Sequence, residues 1–338
     1  MSLFKDKYFP KSFENFKIHN KLILGINNLF KDDYIHNTLF YGPYGSGKYT
    51  IILNVLLKIF GEDILKKKQS VFNITKSCGN PKEFIIFQSN YHFEINLNKY
   101  LFNDRISLVN LLNQLIQTKD VNTSKYKIIL IRNIHYLSSD IIKFLGSIIE
   151  KYIDNVRFLF TASTNYSRII NILKGRYFLI RIPSPTDDEL IDFTSYVFND
   201  NNINMSINNQ QKIVSKSDKN LHNLMIYIQL CCENNKYIEY FSPMELYVKE
   251  IFKLIKKKNN SSLIKIREYI YNLITKNINI KLFIKQFTKE SLNQDLSTEK
   301  IIEINKWGTI FENRLSKSYK EVVHFEAFVY KICHILAI

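Results

Sequence analysis

Gly42-Pro43-Tyr44-Gly45-Ser46-Gly47-Lys48 is the stretch whose residue types and spacing could do chemistry. Its glycines let backbone N–H groups turn inward on an anion, and the lysine adds a positive charge. An apolar run, Thr38-Leu39-Phe40-Tyr41, precedes it, and a helical pattern over residues 49–60 follows. A strand, a glycine-rich loop and a helix N-terminus in that order form a phosphate cradle of the Walker A kind, with Lys48 on the terminal phosphates. Gly42, Pro43, Tyr44, Gly45, Ser46, Gly47, Lys48, Tyr49 and Thr50 are therefore the candidate residues for binding ATP or ADP.

The metal half of such a site does not follow. The residue after the lysine is ordinarily Ser or Thr, whose hydroxyl ligates Mg²⁺. Here it is Tyr49, with Thr50 one position on and rotated by about 100° around the helix. The acids that hold metal and orient the attacking water should end a neighbouring apolar strand. The candidate strand, Lys127-Ile128-Ile129-Leu130-Ile131, runs instead into Arg132-Asn133, a degenerate Walker B. Phosphoryl transfer is nearly all positioning and electrostatics, so the site is expected to bind nucleotide and hydrolyse it poorly. Magnesium binding is in doubt, and no metal site is assigned. The cysteines, Cys78, Cys231, Cys232 and Cys333, form no CxxC pair and the histidines are scattered, which argues against structural zinc or a disulfide framework.

The elements that must position this site alternate. Strand patterns cover residues 38–41, 91–97, 127–131, 156–161 and 178–182, and helical patterns fall at 49–60, 106–117 and 140–152. That order predicts an α/β domain whose parallel sheet is covered on both faces. Ile182-Pro183-Ser184-Pro185 stops the pattern, and Thr186-Asp187-Asp188-Glu189 has the form of a capping box that opens an all-helical region reaching about residue 238. Ser242-Pro243-Met244-Glu245 caps a third region. Its helical stripes include Val248, Ile251, Phe252 and Ile255, then Ile266, Tyr269, Ile270 and Leu273, then Phe325, Phe328, Val329 and Ile332. These exceed what one small bundle is expected to bury, so the region is expected to drive oligomerisation. The expected domains are residues 1–183, 184–241 and 242–338.

Charge narrows the partners. Across 338 residues, 47 Lys and Arg face 31 Asp and Glu, a net +16 that points to nucleic acid before membrane. No apolar run approaches the roughly 18 residues that span a bilayer. The first ten residues hold no apolar segment of the signal-peptide kind. The abundance of Ile, Asn, Lys, Phe and Tyr reads as the bias of an AT-rich genome, such as that of a parasite, a reduced nucleus or a large DNA virus.

Several further segments carry a resemblance. Asp6-Lys7-Tyr8-Phe9-Pro10, Ser89-Asn90-Tyr91-His92-Phe93-Glu94-Ile95, Glu150-Lys151-Tyr152, Ile182-Pro183-Ser184-Pro185 and His324-Phe325-Glu326-Ala327-Phe328-Val329 stand in collinear order around the phosphate loop. Together they resemble the clamp-loader small subunits of the replication factor C family, most like the subunit that sits last in the ring. The resemblance implies an AAA+ Rossmann-like domain, a small helical lid and a helical collar. It implies work within a hetero-pentamer that opens a sliding clamp of the proliferating cell nuclear antigen type and places it on primer–template DNA. That work belongs in a nucleus or a nucleus-like replication compartment, such as a reduced nucleus or a viral factory. A degenerate ATPase site fits the last position.

By the same resemblance, Arg176 in Gly175-Arg176-Tyr177 is the arginine finger offered to a neighbour's nucleotide. Asn220-Leu221-His222 stands for the second sensor, and residues 163–165 for the first. The family also carries an extended hairpin between the first helix and the second strand of the parallel sheet. Here Phe72-Asn73-Ile74 could pair with Phe84-Ile85-Ile86-Phe87, which would turn Lys66, Lys67, Lys68, Lys76 and Lys82 toward DNA phosphates. The competing reading is a free-standing P-loop ATPase or phosphotransferase that binds nucleic acid. It requires an acid at the end of the Walker B strand.

Overall fold

The structure is a computed structural model that describes residues 3–30, 34–74, 82–99, 105–117, 126–163, 166–175, 177–238, 243–256, 260–275, 280–292, 297–317 and 321–337. The chain divides into two compact units, Met1–Ile238 and Glu239–Ile338.

In the first unit, α1 (Phe4–Lys7) and α2 (Asn20–Leu29) precede β1 (Thr38–Tyr41), α3 (Lys48–Phe60), β2 (Lys68–Ile74), β3 (Lys82–Gln88) and β4 (His92–Asn96). Then come α4 (Arg105–Gln117), β5 (Lys127–Arg132), α5 (Ser139–Lys151), β6 (Val156–Ala162), α6 (Tyr166–Leu173) and β7 (Phe178–Arg181). The strands form one sheet in the order β2-β3-β4-β5-β6-β1-β7. β4, β5, β6, β1 and β7 run parallel, and β2 and β3 add an antiparallel hairpin at one edge. The hairpin has the expected pairing, with Phe72 opposite Phe84.

Alternation along the strands builds two cores, one on each face. Ile129 and Ile131 join Phe93, Ile95, Phe158 and Phe160 under α4, α5 and α6. Ile128 and Leu130 join Phe40 and Leu159 under α2 and α3. α3 buries Ile51, Ile52, Val55 and Leu56 in the second core, which fixes the helix that begins at Lys48. β1 lies between β6 and β7, so the loop at its carboxyl end opens at the same edge of the sheet as the carboxyl end of β5, one strand beyond β6, where an open parallel sheet places its ligands.

Three further helices, α7 (Asp187–Asp200), α8 (Ile207–Lys216) and α9 (Leu221–Glu233), enclose their own cluster around Leu190, Val197, Phe198, Val214, Leu224 and Ile228. The capping box is formed: Thr186 Oγ1 accepts from the Glu189 N–H, and Glu189 Oε2 accepts from the Thr186 N–H. Glu189 Oε1 also accepts from the His19 N–H at 2.9 Å, which ties the start of α2 to α7. The N-terminal segment is held in the same way: Tyr8 Oη donates to Asp200 Oδ2 at 2.6 Å, and Lys7 Nζ pairs with the same oxygen at 3.0 Å.

The second unit is all helical: α10 (Pro243–Lys256), α11 (Asn260–Thr275), α12 (Ile280–Leu292), α13 (Thr298–Lys317) and α14 (Glu321–Ala337). The apolar stripes expected to be in surplus are consumed by this unit itself. Val248, Ile251, Phe252, Ile255, Ile266, Ile270, Leu273, Phe325, Phe328, Val329 and Ile332 are all buried in its core. Five helices offer one another more apolar surface than the stripes suggest when read singly. The Phe252–Phe287 stack at 4.3 Å and the edge-on Phe283–Phe325 pair at 4.8 Å fill the middle. The exposed apolar residues are others, Leu246, Ile264, Ile302 and Val323 among them.

Candidate nucleotide site

The loop after β1 is shaped by close approaches that only glycine allows. At Gly42, φ is +153°, and a Cβ would lie 1.9 Å from the Ile182 carbonyl oxygen that follows β7. At Gly45, φ is +71°, and a Cβ would lie 1.9 Å from Asn220 Oδ1. Asn220 caps α9 by accepting from the His222 N–H, and the Leu221 N–H donates to the Gly45 carbonyl at 3.0 Å. The triplet Asn220-Leu221-His222 therefore rests directly on the phosphate loop.

Lys48 is buried, and its ammonium donates to the carbonyls of Gly42 and Pro43 at 2.9 and 2.5 Å and to Ser46 Oγ at 3.4 Å. Burial lowers its pKa to about 8. A phosphate would replace these carbonyl partners with charged ones and hold the lysine protonated.

Where the metal half should stand, the protein has built an ion cluster. Glu94, on β4, is only 3% exposed, so its charge has to be answered by other protein groups. Lys67 Nζ reaches Glu94 Oε2 at 2.6 Å, and Arg132 Nη1 reaches Oε1 at 2.8 Å. Tyr49 Oη donates to Oε2 at 2.8 Å and accepts from Lys67 at 2.6 Å. The Arg132 guanidinium lies over the Tyr49 ring, 3.8 Å from its centroid. Burial works to raise the Glu94 carboxyl, but Lys67 and then Arg132 outweigh it and hold it below the usual carboxylate range. Burial, and next the Glu94 charge, pushes the Tyr49 phenol up, so it remains a neutral donor.

These residues do not fit Mg²⁺. Two cations and an aromatic ring already surround Glu94, and neither Tyr49 nor Arg132 offers the hydroxyl or carboxylate that such a metal takes from those positions. Asn133, at the second acid position, sits in a left-handed turn with φ +61°, which asparagine tolerates. Its N–H donates to Thr161 Oγ1 at 2.9 Å and its side-chain amide to Asn96 at 3.1 Å, so it orients neighbouring residues and offers no carboxylate.

His135 lies against the phosphate loop. Burial, then the charge of Lys48, lowers its pKa to about 4, so it is neutral. Its Nδ1 accepts from the Ser163 N–H at 3.3 Å. Nε2 therefore carries the hydrogen and donates to Tyr44 Oη at 2.7 Å, which links the phosphate loop to the end of β6.

Glu94, Lys67 and His135 were not singled out by sequence as parts of this site. Glu94 left a signal, a lone acid inside the apolar strand segment 92–96, where a buried charge demands a partner. Of the lysines expected to face DNA, Lys67 is turned inward onto Glu94. Lys66 is exposed and paired with Asp63 at 2.8 Å, and Lys68 is exposed at the start of β2. Lys76 and Arg176 lie outside the described residues, as does the side chain of Lys82.

Residues 244–338 match the family described as Replication factor C subunit 3, C-terminal domain. Replication factor C subunit 5 of Saccharomyces cerevisiae is 29% identical, with 98% of this chain and 99% of the relative covered. Replication factor C subunit 3 of Arabidopsis thaliana is 26% identical, covering 98% of this chain and 97% of the relative. The mouse subunit 3 is 25% identical, covering 98% and 95%. The likeness noted in short motifs thus extends along the whole chain, at modest identity, toward subunits 3 and 5.

Proposed function

We propose that this chain, similar along its full length to replication factor C subunits 3 and 5, is a clamp-loader subunit that keeps its nucleotide cradle and has given up its own hydrolysis. The observation that carries this is the combination at one site: an intact phosphate loop around Lys48, and Arg132 where the catalytic acid would stand. A free-standing phosphotransferase needs the acid and gains nothing from the cradle alone. A ring subunit can use bound ATP or ADP as a structural wedge between its sheet domain and the α7–α9 helices that rest on the loop.

In this reading residues 1–183 are the nucleotide domain, 184–241 a lid and 242–338 a collar that joins related subunits in a hetero-pentamer. The ring places a sliding clamp on primer–template DNA. Lys66, Lys68, Lys76 and Lys82 serve its phosphates. Arg176 serves the neighbouring subunit's nucleotide. The place of work is a nucleus or an equivalent replication compartment. Among the described residues no helix is long and apolar enough to cross a membrane. Co-expression of the tagged chain with four related subunits of its source tests the assignment. A stoichiometric five-subunit complex is expected, and a chain that purifies only alone would overturn it.

A further inference from the structure

The geometry points to a nucleotide site that needs no divalent metal, because the fixed cations Lys67 and Arg132, bridged by Glu94, stand in for the ion. The inference rests on the nucleotide-binding reading above. A P-loop site of the ordinary kind holds its metal between the hydroxyl after the lysine and the acid that ends the Walker B strand. In this chain those two positions are Tyr49 and Arg132, and they are in van der Waals contact, guanidinium on ring. Glu94 Oε2 already accepts from both Lys67 and Tyr49, and Oε1 from Arg132. A metal could recruit this carboxylate only by displacing two partly buried cations from their shared partner.

The charge is nevertheless preserved. A divalent ion on one acid contributes a net +1. Lys67 and Arg132 on Glu94 also contribute a net +1, immediately beside the first turn of α3. The field that steadies the phosphates is thus supplied by side chains, with no ion to recruit and no water shell to strip. Arginine suits this task because its planar group stacks on Tyr49 while it pairs with Glu94, which a lysine could not reproduce. A nucleotide that arrives complexed with Mg²⁺ brings two further positive charges toward a place already cationic. The metal-free form should therefore bind at least as tightly.

The test titrates the full chain with a fluorescent ADP, once in excess EDTA and once in millimolar Mg²⁺. Affinity in EDTA is expected to equal or exceed that in Mg²⁺. Binding that Mg²⁺ tightens by more than about threefold (~0.6 kcal/mol) would overturn the inference. Arg132→Gln leaves Glu94 paired with Lys67, so the fold should survive, and a melting curve verifies it. This variant should lose about tenfold in affinity in EDTA. Unchanged affinity would refute the stand-in role. Absence of binding in both buffers would remove the nucleotide-binding reading and this inference together, whereas the clamp-loader reading is decided separately by co-purification.

Discussion

At the scale of single residues, the site is a set of buried polar groups that hold one another in fixed charge states. Glu94 is anionic because two cations answer it, and His92 and His135 are neutral because burial disfavours their charged forms. His92, the first residue of β4, is buried with Nδ1 bonded to Ser89 Oγ, and its pKa is lowered to about 4. The sign of the pH dependence follows. The unfolded chain takes up protons on both histidines as pH falls below about 6.5, and the folded chain does not. Stability is therefore full above that value and is lost as pH falls toward 4. His92 alone should account for about 2 kcal/mol between pH 7.5 and pH 5. Urea denaturation at the two pH values measures it, and His92→Gln should remove that share of the difference and leave the share due to His135. Equal midpoints for the wild-type chain at both pH values would show that neither histidine is held neutral.

At the scale of elements, the strands and helices were largely legible, because apolar alternation and caps are local. Thr38–Tyr41 was placed to the residue, and the capping box at Thr186 formed as expected. What the sequence did not disclose was convergence. Lys67 sits at the foot of the hairpin, Tyr49 on α3, Glu94 on β4 and Arg132 at the end of β5, so only strand order brings them together. Lys67 read as one of three adjacent surface lysines, and its inward turn depends on a carboxylate 27 positions away. Charge reversal at Lys66 and Lys68 should weaken binding of the assembled complex to primed DNA for all sequences alike and reduce its salt dependence. Lys67→Glu should instead destabilise the fold by opposing Glu94. Fluorescence anisotropy across a salt series, paired with melting curves, separates the two. Unaltered DNA affinity in the Lys66 and Lys68 variants would place the DNA-facing surface elsewhere.

At the scale of the whole molecule, the two units have independent cores, so each should fold without the other. Truncation after residue 241 is expected to leave a folded fragment that still binds nucleotide and no longer joins the ring. Size-exclusion chromatography of co-expressed complexes checks this, and a truncated chain that still incorporates would refute it. The reason differs from the one the stripes suggested. They are spent inside the helical unit, and Leu246, Ile264, Ile302 and Val323 are among the apolar residues left exposed for neighbours.

On the proposed function this chain hydrolyses its own nucleotide poorly and serves a neighbour's hydrolysis. Steady-state phosphate release from matched reconstituted complexes, stimulated by clamp and primed DNA, tests it most directly. An arginine supplied in trans contributes about 10³–10⁵ in rate in other P-loop systems, so Arg176→Ala should abolish the adjacent subunit's share of the turnover. Lys48→Ala should leave most of the turnover in place, because its own site holds Arg132 where the acid would be. The opposite ranking, with Lys48 essential and Arg176 silent, would mean that this subunit is itself an active ATPase and would contradict the account.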